Sequence, residues 1–287
     1  MGLIGGSVAL ALKKAKQTNA MLQIVGLART STSLQAALDL GVIDVASSDI
    51  AIALKEADLV LIAAPVAQTA AILQAIKPHL NAHTIITDAG STKADVLRCA
   101  EEILGAQFKQ FIGGHPIAGA EKSGVTAAKA DLYLNKNVVL TPTPETSQQA
   151  ILAATQLWQA CGANVSEMPA ETHDSIFAAV SHLPHLLAFA LVDDIAKRPN
   201  AAQLFGFAAS GFRDFTRIAG SHPEMWRDIS LANKNALLSE LTAYQAELAT
   251  VKKLLENEDG AGLQALFEHA SVTRNAWALA NPTKVEI

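Results

Sequence analysis

The sequence predicts an α/β fold, a doubly wound and mostly parallel sheet, followed by an all-α domain. Three observations carry that expectation. From Leu22 to about Met168, short apolar runs alternate with segments of helical spacing, the pattern of strands joined by crossover helices. After Glu171 the strand signals stop and long apolar-rich helical runs take over. At the start, Gly2-Leu3-Ile4-Gly5-Gly6-Ser7 reads as the second half of a G-x-G-x-x-G turn opening a helix. Such a turn brings backbone N–H groups and the positive end of a helix dipole against a pyrophosphate, so Gly2, Leu3, Ile4 and Gly5 are candidate cofactor-binding residues. The change of period places a Rossmann-like dinucleotide-binding domain over residues 1–170 and a helical domain over 171–287.

The turn leads into a helix over Val8 to Lys16, but the strand that normally precedes it is missing. That strand is central in a doubly wound sheet, and losing its buried side chains forfeits about 6–15 kcal/mol. The loss rivals the stability of a whole domain, so the natural chain is expected to start upstream of Met1. Leu22 to Leu27, Leu59 to Ala63, His83 to Thr87, Phe111 to Gly113, Asn137 to Thr141 and Ala163 to Met168 read as strands. Ser33 to Leu40, Gln68 to Ile76, Thr92 to Leu104 and Thr146 to Ala160 have helical spacing. Thr172 to Ala196 forms a long helical run interrupted by Pro184. Pro223 opens a helix reaching about Leu255, and Gly262 to Trp277 forms another. These helices carry more apolar side chains than a small bundle needs, for a dimer interface or a thick internal core.

Composition narrows the function classes. Half of the 287 residues are hydrophobic, 17% are charged and the net charge is −5, with no basic block. Polyanion binding is therefore not expected. Cys99 and Cys161 lack the spacing of a metal knuckle or a disulfide framework. No leader and no apolar run of membrane-spanning length stands out, so the expectation is a soluble, cytoplasmic protein without a membrane or nucleic-acid partner.

Ligands of doubly wound sheets sit at the carboxyl ends of the strands. Three loops there are chemically loaded. Ala63-Ala64-Pro65-Val66 could wall a cofactor with Pro65. Asp88-Ala89-Gly90-Ser91-Thr92-Lys93 offers the Ser91 hydroxyl, as a site group or as a helix N-cap. Gly113-Gly114-His115-Pro116-Ile117-Ala118-Gly119 sets His115 in a turn after its strand, where glycines let backbone approach a ligand under the imidazole. In the helical half, Ser181-His182-Leu183-Pro184-His185 places a proline between site candidates, and the kink can turn Ser181 and His185 into a cleft. A metal on His182 and His185 lacks an acidic partner at ligand spacing, so no metal site is expected. Gly211-Phe212-Arg213-Asp214-Phe215-Thr216-Arg217 holds Asp214 and Arg217 three residues apart, with arginine's planar fork suited to a substrate carboxylate.

Taken in order, Gly2 to Ser7, Asp88 to Lys93, Gly113 to Gly124, Ser181 to His185 and Gly211 to Arg217 with Trp226 resemble the prephenate, arogenate or cyclohexadienyl dehydrogenases. The resemblance spans essentially the whole chain. It implies a nicotinamide-dependent oxidation of the ring hydroxyl of prephenate or arogenate with loss of carbon dioxide, in tyrosine biosynthesis. It also implies a homodimer built through the helical domain, and a stand-alone dehydrogenase. Through it, His115 becomes the catalytic histidine on the ring hydroxyl and Ser91 a second bond to that hydroxyl. Arg217 would bind a substrate carboxylate, with His185 and Ser181 lining the pocket. Glu121 would gate access, with Asp214 ordering that gate. His185, read as a donor near the variable side chain, leans toward prephenate.

Cofactor choice is read after the first strand-like run. Leu27-Ala28-Arg29-Thr30-Ser31-Thr32 has no acid where enzymes using NAD place one, and offers Arg29, Thr30 and Ser31 instead. The expectation is NADP over NAD. Competing readings are an arogenate-specific NADP dehydrogenase, a β-hydroxyacid dehydrogenase and a non-catalytic dimer.

Overall fold

In the computed structural model, residues 2–281 are described except for 16–21, 29, 120, 121 and 123. Met1, Lys16, Arg29 and Glu121 thus lie outside the described residues. Strands β1 (Val25–Leu27) and β2 (Val45–Ser47) form a parallel pair. A separate five-stranded sheet has the order β3-β4-β5-β6-β7, from Leu59–Ile62, Ile85–Asp88, Phe111–Pro116, Asn137–Thr141 and Asn164–Glu167. All its pairings are parallel except β5 with β6. Among the described residues no strand joins the two sheets.

Neighbouring residues on one strand set the layers, because successive side chains point to opposite faces. Ile85 and Ile112 pack with α1 (Leu3–Ala15) and α6 (Gln148–Ala160) through Val8, Ala11, Ala154 and Trp158. Ile86 and Phe111 pack the other way, against Leu73 and Ile76 of α4 (Thr69–Ile76) and Val96 and Leu104 of α5 (Ala94–Leu104). Each fully buried Leu, Ile or Phe contributes roughly 1.5–3 kcal/mol by leaving water. The strand ends are thereby fixed on a packed slab.

Several boundaries differ from the sequence reading. The first strand shrinks to Val25–Leu27, and β2, α2 (Ser31–Asp39) and α3 (Ile50–Leu54) complete a small subassembly. β5 continues to Pro116, so His115 is a strand residue paired with Val139 and does not sit in a turn. Antiparallel pairing with β6 holds the strand straight past its glycines.

The helical run after residue 169 is not one helix. α7 (Ala170–Phe177) passes through a wide π-type turn at 178–182 into α8 (Leu183–Ala196). Pro184 stands at the start of α8, and the wide turn absorbs the backbone bond proline cannot donate. The expectation of no apolar run of spanning length is also corrected. An 18-residue window within Ala170–Ala196 reaches a mean hydropathy of 1.7, and the run is long and apolar enough to cross a membrane by length and composition. Its polar side chains include the buried His173, Asp174 and His182, which build the site below.

Short helices α9 (Ala201–Gly206) and α10 (Ser210–Thr216) follow. The helix opened by Pro223 is two, α11 (Pro223–Ala232) and α12 (Lys234–Glu256), broken at Asn233. The Asn233 amide spends its donors on the Asp174 carbonyl and His182 Nδ1, at 2.8 and 3.1 Å. By packing, residues 1–237 form one unit and 238–287 another. The second consists of the rest of α12 and α13 (Gly260–Ala280), whose start Asp259 caps through Gly262 N–H at 2.8 Å. Leu248, Leu255, Phe267, Val272 and Trp277 are exposed on it.

Candidate active site

The site grows from the carboxyl ends of β4 and β5. Asp88 closes β4 and turns its carboxylate back, accepting Gly90 N–H at 2.8 Å and Gly114 N–H at 2.9 Å. Lys93, fully buried, donates to Asp88 Oδ2 at 2.5 Å and to the Gly114 carbonyl at 2.8 Å. Breaking such a buried pair from one side costs about 3–5 kcal/mol. Ser91 lies within this loop and does not cap the helix: α5 starts at Ala94 without a side-chain cap of its own. The capping oxygens come instead from Asp174 on α7, which accepts Lys93 N–H and Ala94 N–H at 2.9 Å each.

The same Asp174 carboxylate orders two histidines. It receives the His173 Nδ1–H at 2.8 Å, and His173 Nε2 meets His115 Nδ1 at 2.8 Å. The carboxylate accepts from His173 Nδ1, so neutral His173 presents an acceptor at Nε2 and His115 donates from Nδ1. The lone pair of His115 therefore sits on Nε2. The ring packs edge-on to Phe177 at 4.8 Å between centroids. Burial, with His173, Lys93 and His182 nearby, holds His115 well below the usual histidine range. Burial lowers His173 too, partly offset by Asp174. Burial pushes the Asp174 carboxyl up, but its bonds from His173, Ala94 and Lys93 outweigh that and keep it below the ordinary value.

His182 and His185 border this core from the wide turn and α8. Burial drives His182 down to about 4. His185 stacks on Trp226 with centroids 3.5 Å apart, and its Nδ1–H donates to the Ser181 carbonyl at 2.9 Å. That bond corrects the sequence reading of His185 as a donor. With Nδ1 committed to a carbonyl, the neutral ring presents Nε2 as an acceptor. Burial also holds His185 below its usual value, with Arg217 near enough to add to the effect. Arg217 opens a short 3-10 turn at 217–220 that packs against α8. Asp214 on α10 is exposed, as is Arg217. Ser181 contributes its backbone carbonyl to His185 and lies half-buried in the wide turn.

The nucleotide end is simpler. Gly2 precedes α1, and Leu3, Ile4 and Gly5 form its first turn, where backbone N–H groups lack helical partners. A Cβ on Gly6 would come within 2.9 Å of Ala128 Cβ, so the helix start lies tight against the segment after β5. Tyr133 Oη donates to the Ile4 carbonyl at 2.8 Å and fixes that turn. Exposed Thr30, just before α2, and Ser31, its first residue, have hydroxyls for a ribose or phosphate, though Thr30 Oγ1 bonds Ser33 at 2.8 Å. Pro65 follows β3 and precedes the 3-10 turn Val66–Gln68. The helix start, with its unpartnered N–H groups, suits a pyrophosphate. Among the described residues no group of three or more His, Cys, Asp or Glu is placed to hold a metal.

His173, Asp174 and Lys93 were not singled out from the sequence. The available signal was a His-Asp pair within an otherwise apolar helical run, which adjacency alone does not read as a pair.

Comparison with known proteins settles the family. Residues 8–167 match the prephenate dehydrogenase nucleotide-binding domain, and residues 169–269 match the prephenate dehydrogenase dimerization domain. The chain belongs to the prephenate dehydrogenase family. A prephenate dehydrogenase of Bacillus subtilis is 40% identical over 97% of this chain and 75% of its own length. A cyclohexadienyl dehydrogenase of Zymomonas mobilis is 34% identical over 96% and 93% of the two chains. The crystal structure of Aquifex aeolicus prephenate dehydrogenase with hydroxyphenyl propionate and NAD+ superposes with a TM-score of 0.89. It is 36% identical and covers 96% of this chain and 95% of that one. The family's members are oxidoreductases, and a match to both prephenate dehydrogenase domains sets the β-hydroxyacid alternative aside.

Proposed function

We propose that this chain oxidises and decarboxylates prephenate to 4-hydroxyphenylpyruvate, with His115 as the proton acceptor. The supporting observation is the fixed chain in which His115 donates to His173 and His173 to the Asp174 carboxylate, which keeps a lone pair on His115 Nε2. A bound nicotinamide supplies the hydride acceptor. Gly2, Leu3, Ile4 and Gly5 would hold its pyrophosphate, Pro65 would wall it, and Thr30, Ser31 and Arg29 would meet the adenosine ribose. Ser91 bonds the substrate's ring hydroxyl and aims it. His115 Nε2 takes the hydroxyl proton as the carbon beneath becomes a ketone, and the ring carboxylate then leaves as carbon dioxide while the ring aromatises. Arg217 holds a substrate carboxylate, with His185 and Ser181 beside it. Glu121 and Asp214 guard the entrance. Residues 1–170 carry the cofactor, 171–287 carry substrate contacts and the homodimer interface, and the enzyme works in the cytoplasm.

A neutral His115 is required, and its imidazole is held well below the usual range. Activity should therefore persist below pH ~6.5 and fall only at lower pH. The test supplies prephenate or arogenate with each cofactor and follows cofactor reduction and the new aromatic product. If both acids stay untouched, the chain is a non-catalytic dimer. Faster turnover of arogenate would reassign the substrate, since the acceptor on His185 also suits an ammonium group.

For the cofactor we favour NADP over NAD, on the hydroxyls of Thr30 and Ser31 and the absence of an acid in 27–32. Arg29→Ala should raise the KM for NADP about tenfold and that for NAD less than twofold. Equal effects would remove the preference.

A further inference from the structure

We propose that Lys93 is a positioning residue for the reaction, holding the Ser91 loop and the His115 strand in one fixed relation from beneath. This rests on the dehydrogenase reading above, and assigns a role to a residue that touches no substrate.

The geometry carries the proposal. Lys93 joins the site with both its ends. Its Nζ binds Asp88 Oδ2 at 2.5 Å and the Gly114 carbonyl at 2.8 Å, linking the last residue of β4 to the residue before His115. Its backbone N–H, 2.9 Å from Asp174 Oδ1, anchors the carboxylate that orders His173 and through it His115. One residue thus fixes His115 twice, once through the strand beneath it and once through the hydrogen-bonded chain behind its ring. Ser91 sits between these attachments, two residues before Lys93 and one after Gly90, whose N–H is bound to Asp88.

The chain around the pair leaves no room to relax. A Cβ on Gly90 would come within 2.9 Å of Asp88 Oδ2, and one on Gly114 within 2.7 Å of the Asp88 carbonyl oxygen. Both loops are therefore drawn down onto the ion pair as closely as backbone allows. Lys93 is fully buried and Asp88 nearly so. Ion pairs buried this deeply are often replaceable by apolar residues without loss of stability. Fold stability alone is thus a weak reason for an ammonium here. A charge placed to keep two reacting groups in register, and to oppose a second positive charge nearby, is a stronger one.

That second charge would be the His115 imidazolium. Among the described residues, the titratable groups around His115 are Lys93 and Asp88 from the β4–α5 loop, His173 and Asp174 from α7, and His182 from the wide turn. Lys93, with His173 and His182, disfavours protonation of His115 beyond the effect of burial.

Lys93→Met keeps the side chain as far as Cε and removes the charge and both Nζ hydrogen bonds. The expected result is a kcat lowered about 100-fold with KM for prephenate within about threefold. The acid limb of kcat/KM should move to higher pH. The His115 Cε1–H titration, followed by NMR, should move the same way without any turnover. In Asp88→Asn with Lys93→Met, no net charge is left or removed. There kcat should stay low while the His115 titration returns toward the parent value. The double variant also serves if the single one does not fold. A folded single or double variant with kcat within threefold of the parent overturns the positioning role. An unmoved His115 titration in the single variant overturns the electrostatic one. The NMR arm is independent of substrate, so an inactive parent enzyme would overturn the assigned reaction and leave Lys93 still decided by titration.

Discussion

The corner where β4 and β5 end and the turn around Arg217 serve the same proposed chemistry, yet they are built in opposite ways. In the first, Asp88, Lys93, Asp174 and His173 are buried and bonded to one another or to backbone. In the second, Arg213, Asp214 and Arg217 are exposed on a short helix and the turn after it. The contrast separates two tasks. Proton transfer needs a fixed tautomer and a fixed distance, which buried networks supply before substrate arrives. Holding a carboxylate needs an arginine that water can reach until the substrate displaces it, where each surface pair is worth little alone.

The widest gap between the two regions should appear in turnover. His115→Asn removes the acceptor at Nε2 and should lower kcat by about 100- to 10,000-fold with little change in KM. Steady-state kinetics at fixed cofactor checks it, and a loss under tenfold would move the base elsewhere. Arg217→Ala should do the reverse, raising the KM for prephenate about 10- to 100-fold with kcat nearly kept. An unchanged KM would take Arg217 out of the site and erase the contrast.

A smaller effect concerns stability. His182 titrates near 6.5 when unfolded and is held at about 4 in the fold by burial. A depressed value means the folded state resists the proton, so the stability is complete above pH 6.5 and drains away as pH falls toward 4. At about 1.4 kcal/mol per unit the loss approaches roughly 3 kcal/mol. His115, His173 and His185 shift the same way and add to it. Melting temperature should drop between pH 7 and 5, and drop less in His182→Gln. Identical slopes in the two proteins would remove His182 as a cause.

Legibility from sequence follows the same division. Strand β6 falls on Asn137–Thr141 as its apolar run predicts, and the alternation of strands and helices locates the loops bearing Ser91 and His115. Beyond that, local signals fail for identifiable reasons. β2 is three residues, Val-Ala-Ser, too short for any period to register. His115 looked like a turn residue because glycines precede it, and only pairing with β6, a contact distant in sequence, keeps it extended. The Asp174 link to α5 spans 80 residues, a distance no window of spacing can see. Lys93 reads as an ordinary polar loop residue, since burial of a charge is visible only once its partners are in place. The break at Asn233 is likewise set by side-chain bonds to Asp174 and His182 and not by a helix-stopping residue.

The wide turn at 178–182 has an arithmetic consequence. Each residue of regular helix advances the chain about 100° around its axis. Winding one more residue into that turn puts the histidine of α7 and the histidine of α8 on bearings that an unbroken helix could not give them. Removing a single residue between Ala178 and His182 would swing α8 by about that angle, carrying His185 off Trp226 on α11 while leaving His173 on Asp174. The number of residues in this turn is therefore as much a part of the site as their side chains.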